Sequence, residues 1–437
     1  MSKKIIFWFR RDLRLEDNAG LFEALKTGLP VIPLFIFDTN LLSKLENKTD
    51  RRVDFIFQAL ENINQKLNPM GSQLCIKQGL PSEVIQSLIR EGDIAAVYAN
   101  RDYEPYARQR DEELSQLLQS QHIDFKLFKD QVIFEPSEIL KADGSPYTAY
   151  TPYSKSWRKT FQEGMAAGFP SEYLNNFASE TPESDIHTLT DTGFHSTGYR
   201  FTPPIIPLTL LPHYHETRDI PAMEGTSGLS VHLRFGTISI RCLVKAALTN
   251  NDTWLGELIW REFFMMILYH FPLVTHQSFK PAYDFIQWRN DEKEFERWCN
   301  GQTGYPIVDA GMRELKATGK MHNRIRMITA SFLTKHLLID WRWGEAWFAA
   351  HLLDYDLSAN NGNWQWAAGC GCDAAPYFRI FNPSEQTKKF DSRLQYVRKW
   401  VPELDTLNYP LPMIDHSVAR ARALTTYKQG LESVKKS

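Results

Sequence analysis

The sequence has few cysteines and lacks long hydrophobic runs. Its five cysteines are scattered over 437 residues, and the single close pair, Cys370 and Cys372, has no matching second pair. We therefore expect neither a disulfide framework nor a metal site of the zinc type. The apolar run at 5–9 is too short for a signal peptide, and no stretch approaches the length of a membrane span. These absences favour a reduced, cytoplasmic protein with no membrane partner.

An excess of charge of either sign is also missing. The chain has 50 Lys and Arg against 52 Asp and Glu, a formal net charge of -2 at pH 7. Such a balance supplies no overall field that steers a polyanion, so a nucleic-acid surface would have to be a local patch. With 43% apolar and 23% charged residues, the composition is that of a globular protein and excludes disorder.

The first 130 residues alternate short apolar runs with amphipathic stretches. The runs typical of strands are 5–9, 31–37, 74–76, 94–98 and 125–128. Helical stretches lie between them, at 52–67 and 83–90. This alternation predicts an α/β domain over 1–132 with a doubly wound parallel sheet, of the Rossmann-like kind, whose ligands bind at the carboxyl ends of the strands. No Gly-x-Gly-x-x-Gly follows the first strand, so a dinucleotide is not indicated there.

The rest of the chain changes character twice. Segment 133–205 is rich in Gly, Pro, Ser, Thr and Tyr with little periodicity, which predicts a long connector between domains. From 206 to 437 the pattern is helical and predicts an all-α domain. The clearest expected helices are 257–269, 311–318, 325–338 and 343–353.

Aromatic and basic residues concentrate in this helical half. Ten of the twelve tryptophans lie between Trp254 and Trp400, and segment 311–343 holds seven basic residues against two acidic ones. The combination suits a phosphate backbone with stacked bases, although core packing and a solvated helix face explain the two features separately. Segment 354–366, DYDLSANNGNWQW, cannot place all its polar groups and indoles on one apolar helix face. It predicts a polar loop that surrounds a large planar heterocycle.

Several runs resemble the photolyase/cryptochrome family, and within it the class I cyclobutane pyrimidine dimer (CPD) DNA photolyases. The resemblance covers nearly the whole length and is densest from 226 to 404. The matching runs are FWFRRDLR at 7–14, EGTSGLS at 224–230, ELIWREF at 257–263, TGYPIVDA at 303–310, MHNRIRMITASFLT at 321–334, DWR at 340–342 and DAAPYFR at 373–379.

The resemblance implies light-driven repair of DNA. Members of the family bind FAD in the helical domain, keep it reduced and excite it with blue or near-UV light. An electron then passes to a flipped-out pyrimidine dimer, whose cyclobutane ring splits before the electron returns. Flipping is required because a stacked lesion cannot reach a buried flavin. The partner that this predicts is DNA containing cyclobutane pyrimidine dimers, bound by a monomer.

The resemblance also assigns residues to FAD. The positions that match cofactor contacts are Tyr214, Thr226, Ser227, Gly228, Leu229, Ser230, Trp254, Arg326, Asp354, Tyr355, Asp356 and Asn360. Hydroxyls and backbone N–H groups at a helix start, as at 226–230, suit a pyrophosphate. Arg326 and Asp354 match an ion pair over the isoalloxazine ring, and Asn360 matches the residue beside flavin N5.

Further positions match the lesion, the DNA and an electron-transfer chain. The lesion-facing residues are Glu257, Trp260, Asn323, Met327 and Trp366. Glu257 would donate a hydrogen bond to the carbonyl edge of the dimer, a role that requires a raised pKa in a dry pocket. The DNA contacts are Arg218, Arg261, Arg324 and Gln386, and the tryptophan chain that photoreduces oxidised flavin is Trp288, Trp341 and Trp364.

Three departures from the family pattern bear on the subtype. Asn363 replaces the second Gly of the usual Asn-Asn-Gly-Gly-Trp run, and GCGC stands at 369–372 where STGT is common. YEPYAR at 103–108 lacks the Asn-Glu pair that holds folate. The N-terminal domain is therefore expected to hold a second, antenna chromophore of deazaflavin, flavin or folate type, or an emptied pocket.

Asn323 stands where (6-4) photolyases carry a second His, which favours cyclobutane dimers as the substrate.

Two functions of other classes stay open. A blue-light receptor of cryptochrome type would keep FAD but signal to a protein partner. The intact lesion residues and the absence of a long tail after Trp400 argue against it. A non-photochemical flavoprotein or a plain DNA-binding module would leave the three-tryptophan chain unexplained.

Overall fold

The computed structural model describes residues 3–433, which divide into two compact units. The first unit contains the residues up to 138 together with 160–206 and 228–249, and the second contains 139–159, 207–227 and the residues from 250 onward. The boundaries of these units differ from the domain boundaries that we expected near residues 132 and 206. Much of segment 133–205 packs on the sheet, where the Ala178 N–H donates to the Val31 carbonyl at 2.8 Å. Backbone hydrogen bonds order a segment that has no sequence periodicity.

The first unit is built on a parallel sheet, as the apolar runs predicted. Its strands are β1 (Lys4–Phe9), β2 (Val31–Asp38), β3 (Cys75–Gly79), β4 (Ile94–Asn100) and β5 (Asp124–Phe128). Their order in the sheet is β3-β2-β1-β4-β5, with all neighbours parallel. Because helices cover the sheet, a central strand such as β2 is buried along its whole length and reads as a continuous apolar run.

One strand is longer than the periodicity predicted. The expected run 74–76 became β3, which continues through Lys77 and Gln78 to Gly79. This strand lies at an edge of the sheet, where polar side chains reach solvent while the backbone still pairs with Ile36 and Phe37. Strand pairing therefore extends past the point where the apolar run ends.

Helices account for much of the remaining chain. In residues 3–433 they are α1 (Ala19–Lys26), α2 (Thr39–Leu42), α3 (Arg51–Leu67), α4 (Pro81–Glu91), α5 (Pro105–Ser120), α6 (Tyr150–Thr160), α7 (Tyr214–Thr217), α8 (Ser230–Phe235), α9 (Ile240–Asn250), α10 (Asp252–His270), α11 (Glu292–Cys299), α12 (Pro306–Thr318), α13 (Asn323–Ser331), α14 (Trp341–His351), α15 (Leu357–Ala368), α16 (Pro383–Phe390), α17 (Gln395–Trp400) and α18 (His416–Ser433).

Two of the predicted helices have different limits in the structure, one because of a capping residue and one because of a π-helical turn. Helix α10 begins five residues before the expected start, because the Asn251 side chain accepts the Trp254 N–H and caps the first turn. The expected helix 325–338 is divided. Helix α13 ends at Ser331, a π-helical turn follows over Phe332–His336, and Leu338 takes a positive φ of 50°. Turns of this kind often lie at functional sites.

Glycines let the helices of the second unit approach closely. A Cβ on Gly362 of α15 would lie 2.2 Å from the Phe264 ring of α10. A Cβ on Gly344 of α14 would lie 2.1 Å from the Trp364 ring of α15. Helix α15 is therefore packed against both α10 and α14, and any larger residue at these glycines would force the helices apart.

The cysteines, potential metal ligands and long apolar helices of the described residues bear on what the sequence excluded. All five cysteines are free, and only Cys242 is exposed. Among residues 3–433 no three His, Cys, Asp or Glu side chains are grouped so that they could hold a metal ion. Nor does that part of the chain contain a helix that is long and apolar enough to cross a membrane.

Candidate active site

A pocket in the second unit opens between α13, α14, α15 and the loop before α15. It encloses about 580 Å³ of space, part of it open to solvent. Eight of its lining residues are positions that the family resemblance singled out: Asn323, Arg326, Met327, Asp354, Asp356, Asn360, Trp364 and Trp366. The other lining residues match no expected cofactor or lesion contact, and they are Ala330, Phe348, Leu352, Ala359, Asn363 and Ala367.

An ion pair lies on the wall of this pocket. The Nη2 of Arg326 donates to both carboxylate oxygens of Asp354, at 3.0 and 2.9 Å. The guanidinium is held from behind, since its Nε donates to the Met321 carbonyl at 2.8 Å. The Asp354 side chain is only 10% exposed. Two fixed, opposite charges in a partly desolvated wall suit a planar ligand that carries polar atoms on its edge.

Helix α15 contributes a second polar wall. Asp356 caps its first turn by accepting the Ala359 N–H at 3.1 Å. One turn later, the amide of Asn360 donates to the Glu345 carbonyl at 3.1 Å and is 7% exposed. These bonds set the orientation of both side chains before any ligand is bound.

The prediction that 354–366 is a polar loop was wrong. Most of the segment is helical, and its deepest amides are satisfied by protein. Asn361 donates to the Val274 carbonyl at 3.0 Å, and Gln365 donates to the same oxygen at 2.9 Å. Asn363, the departure from the Gly-Gly pattern, donates to the Ala359 carbonyl of its own helix at 2.8 Å. Backbone carbonyls, rather than a ligand alone, therefore satisfy the buried amides.

Glu345 is a site residue that the motifs did not reveal. It lies on α14, and its carboxylate oxygen is 3.4 Å from the Asn361 amide. Burial raises the pKa of Glu345 to about 7. Its signal in the sequence is weak, because a single Glu in an amphipathic helix is usually solvated.

The two residues on α10 that are expected to face the lesion lie outside the lining of the pocket but on a helix packed against α15. Glu257 accepts a hydrogen bond from Arg218 Nη1 at 2.6 Å, and the two side chains are 33% and 21% exposed. Burial lowers the pKa of Arg218, but the Glu257 carboxylate more than offsets this and the pKa is raised overall. Trp260, one turn after Glu257, is half-buried.

The expected FAD contacts outside the pocket are distributed over both units. In the second unit, Tyr214 starts α7 and Trp254 lies in the first turn of α10, and both are buried. Burial raises the pKa of Tyr214 to about 12, so its hydroxyl stays a hydrogen-bond donor. Tyr355 packs against the apolar core of this unit.

The run 226–230 crosses from the second unit into the first after residue 227. Thr226 is exposed and Ser227 is half-buried. In the first unit, Gly228 takes a positive φ of 68°, Leu229 is buried and Ser230 is the first residue of α8.

Most of the basic residues in 311–343 do not form a free basic surface. Arg313 pairs with Glu403 at 2.7 Å, and Arg342 pairs with Asp284 at 2.6 Å. Lys335 is 1% exposed. Together with the Arg326 pair, these internal contacts do not favour the interpretation that the basic excess of this segment serves a phosphate backbone, because an ion-paired or buried cation is not available to DNA without losing its partner.

The four residues expected to contact DNA all belong to the second unit. Arg324 donates to Asp219 at 2.8 Å and lies over the Phe390 ring at 4.3 Å. Arg261 on α10 and Gln386 on α16 are half-buried, and Arg218 is held by Glu257.

Three tryptophans expected to carry electrons share an unusual feature. Trp288 is half-buried, whereas Trp341 and Trp364 are 1% and 2% exposed. Within residues 3–433, the indole N–H groups of all three are buried without a hydrogen-bond partner, as is that of Trp400. By contrast, the Trp298 N–H donates to the Thr329 carbonyl at 3.2 Å. An unpartnered buried donor costs about 1–3 kcal/mol, so these indoles are held at a cost in stability.

A second cluster of polar and aromatic side chains lies in the first unit, at the end of the sheet where the carboxyl ends of the strands meet. The guanidinium groups of Arg10 and Arg110 lie 5.0 and 4.7 Å from the ring centre of Trp8. Tyr106 donates its hydroxyl to Asp38, the last residue of β2, at 2.7 Å. Parallel α/β sheets bind ligands at this edge.

We expect the start of α13 to weaken in acid through His322. Its Nδ1 accepts the Arg324 N–H at 3.1 Å, which requires a neutral ring, and burial lowers its pKa to about 4. The unfolded chain takes up this proton below about pH 6.5. Stability therefore falls as the pH drops from 6.5 to 4, by at most about 1.4 kcal/mol per pH unit for this group.

The variant His322→Asn keeps a capping acceptor but does not titrate. Urea unfolding at pH 7 and pH 5 should show a smaller loss of stability in the variant than in the natural protein. Equal losses in the two proteins would exclude His322 as the cause.

Two family models match the chain. The model described as "DNA photolyase" matches residues 5–171, and the model described as "FAD binding domain of DNA photolyase" matches residues 254–408. Among curated relatives, a deoxyribodipyrimidine photo-lyase of Synechococcus sp. is 37% identical, with 98% of this chain and 97% of the relative covered.

Solved structures extend the same similarity to the fold. A bacterial class III photolyase from Agrobacterium tumefaciens matches with a TM-score of 0.89 and 35% identity, over 99% of this chain and 98% of that one. An archaeal photolyase from Sulfolobus tokodaii, solved with two FAD molecules, matches with a TM-score of 0.82 and 34% identity, over 98% and 100%. A Synechocystis cryptochrome matches with a TM-score of 0.81 but only 26% identity, over 98% and 99%.

Proposed function

This chain belongs to the DNA photolyase family and is a light-driven DNA repair enzyme, and from that premise we propose how its residues split a cyclobutane pyrimidine dimer. When bound and reduced, FAD supplies an electron to the dimer after absorbing light and accepts it back once the ring has opened. The observation that carries the proposal is the pocket itself. It brings the expected flavin residues Arg326, Asp354 and Asn360 together with three of the expected lesion residues, which are Asn323, Met327 and Trp366.

The pocket residues fit a flavin. An isoalloxazine ring is planar, apolar on its faces and polar along one edge. Trp364 and Phe348 supply aromatic surface, while the Arg326–Asp354 pair and the Asn360 amide supply donors and acceptors. We propose that Asn360 faces flavin N5, where a neutral amide can either donate or accept. The rest of the cofactor would be held in the second unit by Tyr214, Thr226, Ser227, Trp254, Tyr355 and Asp356.

DNA is the substrate, and we propose that the dimer enters this site flipped out of the helix. Unpairing and unstacking cost less at a damaged step, which helps the enzyme select it. Trp260 and Trp366 would pack against the two joined bases, with Asn323 and Met327 beside them. Because Glu257 is paired with Arg218 at 2.6 Å without DNA, the carboxyl group reaches the dimer only when this pair rearranges.

The freed arginine would then have a second role. A guanidinium released from Glu257 can bind a phosphate through two parallel hydrogen bonds. We propose that Arg218, Arg261 and Arg324 contact the DNA backbone in this way, and that Gln386 contacts it through its side-chain amide. The exchange of a carboxylate for a phosphate keeps Arg218 paired in both states, so its charge is never left buried alone.

The unpartnered indoles support an electron-transfer role for Trp288, Trp341 and Trp364. An indole that loses an electron becomes strongly acidic at its N–H group. With no acceptor beside the nitrogen, the proton stays on the indole. The radical cation then persists until the next tryptophan in the chain donates an electron to it. Trp364 lines the pocket and Trp288 is half-buried, so we propose that electrons enter at Trp288 and pass through Trp341.

Finer assignments remain proposals. We propose class I, although a class III photolyase structure matches 99% of the chain. We also propose that the enzyme acts as a monomer in the cytoplasm. A second chromophore would bind at the carboxyl edge of the sheet, beside Trp8 and Tyr106, where aromatic faces and paired charges suit a planar ring.

A repair assay tests the function directly. Purified protein, reduced with dithionite, is mixed with oligo(dT) that carries cyclobutane dimers and illuminated with blue light while thymine absorbance is followed. We expect absorbance to recover in the light and not in the dark. No recovery by protein with bound, reduced FAD would overturn the proposal and favour first a (6-4) substrate and then a receptor of cryptochrome type.

A further inference from the structure

Tyr150, which belongs to none of the motifs, lies flat against a lesion-facing tryptophan. Its ring and that of Trp260 are parallel to within 6°, with their centres 3.6 Å apart. Tyr150 is the first residue of α6, in the short segment 139–159 that belongs to the second unit. The edge of Phe263 closes the same cluster, at 5.6 Å and 82° from Trp260.

Two hydrogen bonds hold Tyr150 in place. Its hydroxyl donates to the Gly256 carbonyl at 2.8 Å, immediately before Glu257. Its backbone N–H donates to the Asp373 carboxylate at 3.0 Å, which ties the start of α6 to the loop after α15. Burial raises the pKa of Tyr150, so the hydroxyl remains a donor at neutral pH. One side chain is thus joined both to the turn that carries Glu257 and to the indole of Trp260.

Ordinary core packing does not account for this arrangement. The core contacts of α6 come from Tyr153 and Trp157, which are each 1% exposed, and Trp157 donates to Glu262 at 2.6 Å. Tyr150 and Trp260 are instead both half-buried. A stacked pair at a partly exposed position contributes less to the core, but it restricts the torsion angles of the indole together with Phe263 and Phe264.

We propose that Tyr150 is a positioning residue for dimer recognition, which holds Trp260 in the orientation that packs against the dimer and anchors the turn that carries Glu257. The proposal rests on the proposed function, because it assumes that Trp260 contacts the lesion. A platform that is ordered before binding avoids the loss of conformational freedom that binding would otherwise require. Undamaged DNA, which does not enter the pocket, gains nothing from it.

Two substitutions separate the ring from the hydroxyl. Tyr150→Leu removes the stack, and Tyr150→Phe removes only the bond to Gly256. Affinity is measured in the dark for an oligonucleotide with one dimer and for the same sequence without it. We expect Tyr150→Leu to weaken dimer binding about tenfold, the effect of one lost stacking contact, with affinity for undamaged DNA unchanged. Tyr150→Phe should give a smaller loss. Bound FAD should be unchanged in both.

Controls make each outcome decisive. Tyr147→Leu changes a neighbouring ring that packs on Tyr153 at 6.2 Å, and it should leave dimer binding unchanged. In a Trp260→Ala background, Tyr150→Leu should weaken dimer binding no further than Tyr150→Phe does in the natural protein. Equal weakening for both DNAs, or full dimer binding by Tyr150→Leu, would overturn the inference. If the natural protein itself fails to prefer dimer-containing DNA, the proposed function fails first.

Discussion

Replacing Trp341 with phenylalanine is expected to block photoreduction of oxidised FAD while leaving repair by pre-reduced enzyme unchanged. The indole is 1% exposed and its N–H has no partner, so phenylalanine keeps most of the packing. A benzene ring is much harder to oxidise than an indole. Raising the barrier of one electron step by about 2.7 kcal/mol already slows it about a hundredfold. Flavin absorbance under blue light, with an external thiol as reductant, measures the rate.

A matched control is available in the same apolar core. Trp298 is 0% exposed, but its N–H donates to the Thr329 carbonyl. Trp298→Phe should lower stability by about 1 kcal/mol through the lost hydrogen bond and leave photoreduction intact. Normal photoreduction in Trp341→Phe would show that electrons reach the flavin by another route.

The second large effect is expected at Glu257. Glu257→Ala should lower the light-driven repair yield by about tenfold or more, because a hydrogen bond to a charged group contributes about 1.5–3 kcal/mol. FAD binding and affinity for dimer-containing DNA should be retained, since the Arg218 released by the substitution can still meet a phosphate. The yield is measured as thymine recovered per photon absorbed by pre-reduced enzyme.

Glu257→Gln separates the donor from the charge. An amide N–H can donate to the dimer carbonyl, so this variant should lose less than Glu257→Ala. Asp252→Asn serves as a control, because Asp252 is a carboxylate on the same helix whose partner is Arg158 and whose side chain is 82% exposed. A repair yield equal to that of the natural protein in Glu257→Ala would remove the catalytic role of this residue.

The apolar pattern predicted the N-terminal sheet because burial on both faces leaves a direct record in the sequence. Strand β2 is buried at every position, so its run is continuous. Helix ends were less predictable, since they depend on caps such as Asn251 and on the π-helical turn after α13. Neither feature changes the apolar periodicity on which the prediction relied.

The site residues divide in the same manner. Motifs identified Arg326, Asp354 and Asn360, which the structure brings to one pocket. Motifs could not identify Glu345 or Tyr150, because each matters through a contact with a residue on another helix. Glu345 contacts Asn361 on α15, and Tyr150 stacks on Trp260 of α10. Charge counting was misleading for Arg313 and Arg342, whose acidic partners are distant in sequence.

The family, the parallel sheet and the helical second half could be predicted from the amino-acid sequence alone. These features depend on local pattern or on motifs, which are visible in a linear sequence. The packed helices were needed to show that 354–366 is largely a helix with satisfied amides, that most cations of 311–343 are paired internally, and that Tyr150 stacks on Trp260. Each of these depends on contacts between distant residues, because burial and pairing exist only once the helices have packed.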